Sequence, residues 1–266
     1  PLPAPVQSVS LIGPGTAATG YAVAAKRASP AVVSITASRA PQRSRSDDPM
    51  FRFFFGDRAR QMPEERQFGL GSGVIVSPAG YLLTNNHVIE GADDVEVMLG
   101  DGRSAKARTI GADPESDIAV LKIDLDKLPV IAFGDVDRLQ VGDVVLAIGN
   151  PEGIGQTVTM GIISATGRDQ PSLSRFEDLV QTDAAINFGN SGGALVNADG
   201  ELVGIITGVV GRDRGVQGVS FAIPAAPARS ILDELALRGY VIRGTMGAEY
   251  AEAPQSAAPT DDGLPT

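Results

Sequence analysis

This chain of 266 residues has no cysteine, no tryptophan and a single histidine. Without cysteine there are no disulfides, no thiolate metal centre and no cysteine nucleophile, although the compartment stays open because exported proteins can also lack cysteine. One histidine and no cysteine make a poor zinc site. Positive charge is also scarce: 22 Lys and Arg face 32 Asp and Glu, a net charge of −10. Nothing is left over to displace counterions from a nucleic acid, so no nucleic-acid partner is expected. No apolar run reaches about 18 residues, which excludes a membrane-spanning helix within the chain. Aromatics are only 5%, so the core must be built from Val, Ile, Leu and Ala.

What the chain does hold is 43% hydrophobic residues with 32 Gly and 18 Pro, the balance of a globular protein rich in turns. From Phe68 to about Ile223, short apolar runs alternate with turn signals. Val74 to Val76, Val95 to Leu99, Ile118 to Ile123, Val144 to Ile148, Val158 to Ser164, Leu202 to Thr207 and Val219 to Ile223 are the runs. Pro78-Ala79-Gly80, Asp101-Gly102 and Asp199-Gly200 punctuate them. The pattern predicts an all-β sandwich or barrel, not a βαβ fold. A short helix is expected from Gly20 to Ser29, then a strand from Ala31 to Thr36. A C-terminal helix is expected over Pro227 to Arg238, with Ile231, Leu232, Leu235 and Ala236 as its apolar residues and Gly239 as its stop.

The organisation expected is a flexible arm at 1–19, one domain at 20–247 and a disordered acidic tail at 248–266. The domain carries a long Arg-bearing loop at 39–67. Its apolar plug, Met50 to Gly56, either packs on its own domain or meets a partner subunit or substrate. The chain starts at Pro1 without an initiator Met, so a preceding signal or anchor is expected to have been removed.

Two segments carry chemistry. Gly189-Asn190-Ser191-Gly192-Gly193 reads as a loop that presents a nucleophilic serine. The N–H groups of Gly189 and Ser191, with Asn190 between them in the same turn, can converge on a developing oxyanion. A serine hydroxyl needs a positioned base, and the one imidazole available is His87, after the strand-like Tyr81 to Thr84. Either segment alone has an ordinary reading, a Gly-rich turn or a core histidine. A carboxylate must orient the base. Asp117, entering the apolar run Ile118 to Ile123, is one candidate, and Asp183, just before the nucleophile loop, is its main rival. Asp93, Asp94, Asp101, Asp124 and Asp126 flank turns and read as solvated.

Thr84-Asn85-Asn86-His87-Val88, Ser116 to Lys122 and the Ser191 loop together resemble the three catalytic motifs of the HtrA family of trypsin-like serine proteases, in the same His, Asp, Ser order. Gly69 to Val76, Gly149-Asn150-Pro151, Gly161 to Gly167, Gln181 to Asn187 and Phe221 to Pro224 are similar too. Residues 20–247 carry the resemblance, which looks closest to the DegS type, membrane-anchored envelope proteases. It implies a serine endopeptidase of unfolded or regulatory envelope proteins in stress signalling or quality control. His87, Asp117 and Ser191 would be the triad. It further implies two perpendicular β-barrels with the site between them, a homotrimer held partly near Tyr21, and no cofactor. The location implied is the bacterial periplasm or envelope, with an anchor outside this chain.

By the same resemblance, Ile186 and Val210 line the specificity pocket and select a small or medium aliphatic residue. Ile206, Thr207 and Gly208 pair with the substrate backbone as an added strand. The loop from Arg168 to Asp178 acts as a sensor of the oxyanion hole. Glu152 and Phe188 depart from the family pattern in switching loops, and Ile206 departs from it on the substrate strand. About twenty residues follow Gly244, too few for a domain of ~50 or more, so a peptide-binding PDZ domain is not expected in this chain.

Other readings fit less well. A collapsed site would leave a chaperone or scaffold that binds without cutting, and a trimerisation core would act through the aromatic plug. Gly69 to Gly73 resembles a phosphate loop but lacks the GK[ST] and the helix, and so opens a strand. Asp47-Asp48, Asp93-Asp94 and Asp261-Asp262 read as solvated turns, not calcium sites.

Overall fold

The computed structural model describes residues 20–39, 67–150, 155–168, 178–209 and 218–244, with only the backbone of Gln67, Phe68 and Val209. The arm at 1–19, the plug, Glu152, Val210 and the tail at 248–266 lie outside these residues.

The strands are β1 (Val32–Arg39), β2 (Gln67–Ile75), β3 (Tyr81–Thr84), β4 (Asp94–Met98), β5 (Ser104–Asp113) and β6 (Ile118–Lys122), then β7 (Val144–Gly149), β8 (Thr157–Arg168), β9 (Leu179–Thr182), β10 (Ala194–Asn197), β11 (Leu202–Val209) and β12 (Ser220–Pro224). They close into two six-stranded barrels, β1-β2-β3-β6-β5-β4 and β10-β11-β12-β9-β8-β7. This is the trypsin-like double barrel. Neighbouring strands within each barrel run antiparallel.

Period-two alternation sorts the apolar residues into three cores. On β6, Ala119 and Leu121 point into the first barrel with Val33, Ile35, Ile75, Leu82 and Val97. The intervening Ile118 and Val120 point outward into a shared core. On β7, Val145 and Ala147 fill the second barrel with Ile163 and Leu195, whereas Leu146 and Ile148 join the shared core. β6 and β7 are therefore buried on both faces. That explains their unbroken apolar runs.

Three helices complete the described fold. α1 (Ala22–Ala28) runs into a 3-10 turn at Ser29–Ala31, and α2 (Asn86–Ile89) is a single turn after β3. α3 (Ala225–Arg238) buries Ala225, Ala228, Ile231 and Leu235 and ends at Gly239 in the left-handed conformation. It begins two residues before the expected Pro227, because proline fits the first turn, whose N–H has no helical partner. Its buried alanines are Ala225 and Ala228, whereas Ala236 is exposed.

Candidate active site

Asp117 sits at the turn into β6 with φ of +57°, a left-handed conformation uncommon outside glycine but enriched in Asp and Asn. Five hydrogen bonds hold it there. Its carbonyl accepts from Asn85 Nδ2 at 3.0 Å and from the Asn86 N–H at 3.1 Å. Its Oδ1 accepts the His87 N–H at 3.0 Å. Its Oδ2 lies 2.7 Å from His87 Nδ1 and accepts Thr207 Oγ1 at 2.8 Å. The first turn of α2 thus docks on Asp117 through both backbone and ring. An ionised carboxylate only accepts, so the proton of a neutral imidazole sits on Nδ1, and Nε2 keeps its lone pair as an acceptor.

Ser191 is held in the loop before β10 of the second barrel. Its hydroxyl donates to the Thr207 carbonyl at 3.2 Å. The Ser72 N–H donates to the Ser191 carbonyl at 2.8 Å, and Gly192 N–H to the Ile206 carbonyl at 2.8 Å. Gly192 has φ of +82°, and a Cβ there would collide with the Ser72 carbonyl and the Thr84 hydroxyl. The nucleophile loop therefore lies flush on β2, and only glycine allows that approach.

A bulge brings Thr207 in. In the pairing of β11 with β12, Ile206 faces Ala222 and Gly208 faces Phe221, so Thr207 is the extra residue. Bulges re-aim side chains. Here Ile206 points into the second barrel's core while the Thr207 hydroxyl reaches Asp117.

The turn that leads into Asp117 is braced by an ion pair. Asp113 accepts from the N–H and hydroxyl of Ser116 and pairs with both terminal nitrogens of Arg243. Burial pushes the Asp113 carboxyl up, but Arg243 and Ser116 outweigh it and hold it below its ordinary range.

The other expected residues are placed as follows. Asp183 is exposed and accepts the Ile162 N–H at 2.7 Å, so its carboxylate is engaged with β8 while Asp117 is the one at His87. Ile186 is buried in the second barrel's core. The Ile206 N–H donates to Gly193 and its carbonyl accepts from Gly192, so its backbone serves the nucleophile loop. Gly189 and Asn190 are buried, Phe188 is half-buried beside them, and Arg168 is exposed at the end of β8. Asp94 pairs with Lys106. Sequence reasoning missed the Thr207 hydroxyl as a partner of Asp117 and missed Ser72 and Asn150. The one available signal was a polar Ser72 within the glycine-rich apolar stretch Phe68 to Ile75.

Known proteins resemble this chain in sequence and fold. Residues 71–205, about half the chain, match the family model for a trypsin-like peptidase domain. The chain is 47% identical over 204 residues to a probable periplasmic serine endoprotease, DegP-like, of Chlamydia trachomatis serovar D, covering 76% of this chain and 41% of the relative. It is 46% identical over 225 residues to the periplasmic pH-dependent serine endoprotease DegQ of Escherichia coli strain K12, covering 84% and 50%. This chain thus spans about half the length of these curated relatives. Among solved structures, the HtrA-type protease AlgW with decapeptide is 53% identical with a TM-score of 0.74, covering 86% of this chain and 71% of that one. The chain belongs to the HtrA family of trypsin-like serine proteases.

Proposed function

We propose that the chain is a serine endopeptidase in which Ser191 is the nucleophile, His87 the base and Asp117 the group that orients the base. The observation that carries the reading is the double grip of Asp117 on His87, through the backbone N–H at 3.0 Å and Nδ1 at 2.7 Å. The Ser191 hydroxyl turns from the Thr207 carbonyl and gives its proton to His87 Nε2 as Oγ attacks the peptide carbonyl carbon. The oxyanion that forms is received by the N–H groups of Gly189 and Ser191, with Asn190 shaping the turn. One such donor contributes about 3 kcal/mol in comparable sites. His87 then gives its proton to the leaving amine, and water releases the acyl group by the reverse sequence. Thr207 and Gly208 offer backbone to the substrate strand. Buried Ile186 supports a pocket for a small or medium aliphatic residue, to which motif resemblance adds Val210. Arg168, Glu152 and Phe188 would tune the loops around the oxyanion hole.

Relatives described as periplasmic support a place in the bacterial periplasm, and solved relatives that carry peptides support a polypeptide substrate. A DegS-type role in stress signalling, with an inner-membrane anchor outside this chain, rests on motif resemblance. Exposed Val23 on α1 and Val158, Met160 and Ile162 on β8 are apolar surface that further copies would cover in a homotrimer.

A fluorophosphonate probe tests the reading. Covalent labelling of Ser191, lost in Ser191→Ala, supports it. No labelling of the wild type, with peptide still bound, favours the binding-only alternative.

A further inference from the structure

We propose that Ser72 is a positioning residue for the oxyanion loop: a hydroxyl on the first barrel that fixes the Gly189–Asn190 peptide of the second. The inference rests on the reading of Gly189 as an oxyanion donor. Ser72 lies fully buried in β2. Its N–H donates to the Ser191 carbonyl at 2.8 Å, and its carbonyl accepts the Thr84 hydroxyl at 2.7 Å. Its Oγ accepts the Asn150 N–H at 2.9 Å and donates to the Gly189 carbonyl at 2.7 Å.

The direction of this chain of bonds is forced. A backbone N–H only donates, so Oγ must accept from Asn150. Its single proton is then left for the Gly189 carbonyl. The peptide group is planar, so fixing that carbonyl also fixes the Asn190 N–H on the opposite side. That N–H closes on the Asn187 carbonyl at 3.1 Å. The 189–190 peptide is thereby clamped at both ends. The Gly189 N–H is set from it by the two backbone torsions of Gly189, with φ at +92°. Glycine permits that value and does little to hold it, so the holding falls to Ser72.

Asn150 secures the other end of the relay. Its Nδ2 donates to Ser34 Oγ at 2.6 Å, and its Oδ1 accepts the Gly155 N–H at 2.8 Å. β1, β2 and the end of β7 therefore converge on one carbonyl of the nucleophile loop. Ser72 bonds to the backbone of Gly189 and Ser191 and not to the side chains of His87 or Asp117. Its effect is on where the oxyanion donor points, not on proton transfer.

Ser72→Ala and Ser72→Cys test this against the wild type, with a chromogenic peptide substrate and the fluorophosphonate probe. Ser72→Ala is expected to lower kcat and the labelling rate about 10- to 100-fold. KM and the shape of the pH–rate profile should stay as in the wild type. Ser72→Cys, a weaker donor, should fall between. Wild-type kcat in Ser72→Ala, a loss confined to KM, or an altered pH profile would each overturn the proposal. Should Ser72→Ala fail to fold, Ser72→Cys decides: lower kcat at unchanged KM supports the role, and wild-type kcat refutes it. A wild type that never labels removes the oxyanion reading and this role with it. Equal labelling of wild type and Ser72→Ala removes only the role of Ser72.

Discussion

Thr207 donates its hydroxyl to Asp117 Oδ2 at 2.8 Å, the same oxygen that faces His87 Nδ1 at 2.7 Å, and so bonds the second barrel directly to the carboxylate of the first. The bond spans ninety residues of sequence and depends on the bulge that frees Thr207 from the β11–β12 pairing.

Thr207→Val keeps the shape and removes the donor. A hydrogen bond to a charged group is worth about 1.5–3 kcal/mol, and part of that loss should appear in the transition state. The expected result is a kcat about tenfold lower, with most activity retained in Thr207→Ser. Steady-state kinetics on a peptide amide decide it, and a Thr207→Val enzyme as fast as wild type would leave the bond without a catalytic role.

The Asp113–Arg243 pair ties the segment after α3 to the turn that carries Asp117. Asp113 is held below its ordinary range in the folded protein. A carboxylate depressed on folding contributes stability above its unfolded pKa of about 3.9, and that contribution is lost as pH falls through the folded value. Arg243→Gln should therefore cost about 1–2 kcal/mol near pH 7, between values for exposed and buried pairs. The difference from wild type should shrink below about pH 4. Chemical denaturation at pH 7 and pH 3.5 measures both, and a gap that is equal at the two values would refute the linkage.

Much of this was legible in the chain. His87 and the Ser191 loop follow from residue type and spacing, and the runs of β6, β7 and β11 follow from burial on both faces. β5 was not legible: Ser104 to Asp113 is half-buried or exposed at all but Ala107 and Asp113 and carries no apolar run to mark it. Asp117 could not be chosen over Asp183 by pattern alone, because both precede loops or strands of the site. Motif resemblance favours Asp117, and the fold separates the two by turning Asp183 to the Ile162 N–H and Asp117 to His87. The roles of Thr207 and Ser72 depend on a bulge and on contact between barrels, which no local periodicity encodes.

Gly192 and Gly142 separate backbone strain from collision. Both have positive φ, +82° and +101°. A Cβ on Gly142 would meet nothing within 4 Å, whereas one on Gly192 would strike Ser72 and Thr84. Gly142→Ala should cost only the conformational strain, about 1–2 kcal/mol, with kcat unchanged. Gly192→Ala must move the nucleophile loop off β2 and should lower kcat more than 100-fold, on the order expected for a 1 Å misplacement. Thermal melts and kinetics on the pair distinguish the two effects, and comparable kcat in both variants would refute the collision account.

Asp117→Asn removes the charge without disturbing the backbone, because asparagine also tolerates the left-handed φ of +57°. The amide can keep its oxygen toward the His87 N–H, but its NH2 then faces His87 Nδ1. Two donors cannot share that bond, so the imidazole must switch its proton to Nε2 and loses the lone pair that would take the Ser191 proton. The Thr207 hydroxyl would also have to reverse and accept. The expected fall in kcat is about 10⁴-fold, the size seen when a triad carboxylate is replaced by its amide. Asp183→Asn keeps an acceptor oxygen for the Ile162 N–H and touches no part of the pair, so it should retain wild-type kcat. Measuring both variants under one condition assigns the carboxylate: an inactive Asp183→Asn beside an active Asp117→Asn would reverse the assignment made from the 2.7 Å contact.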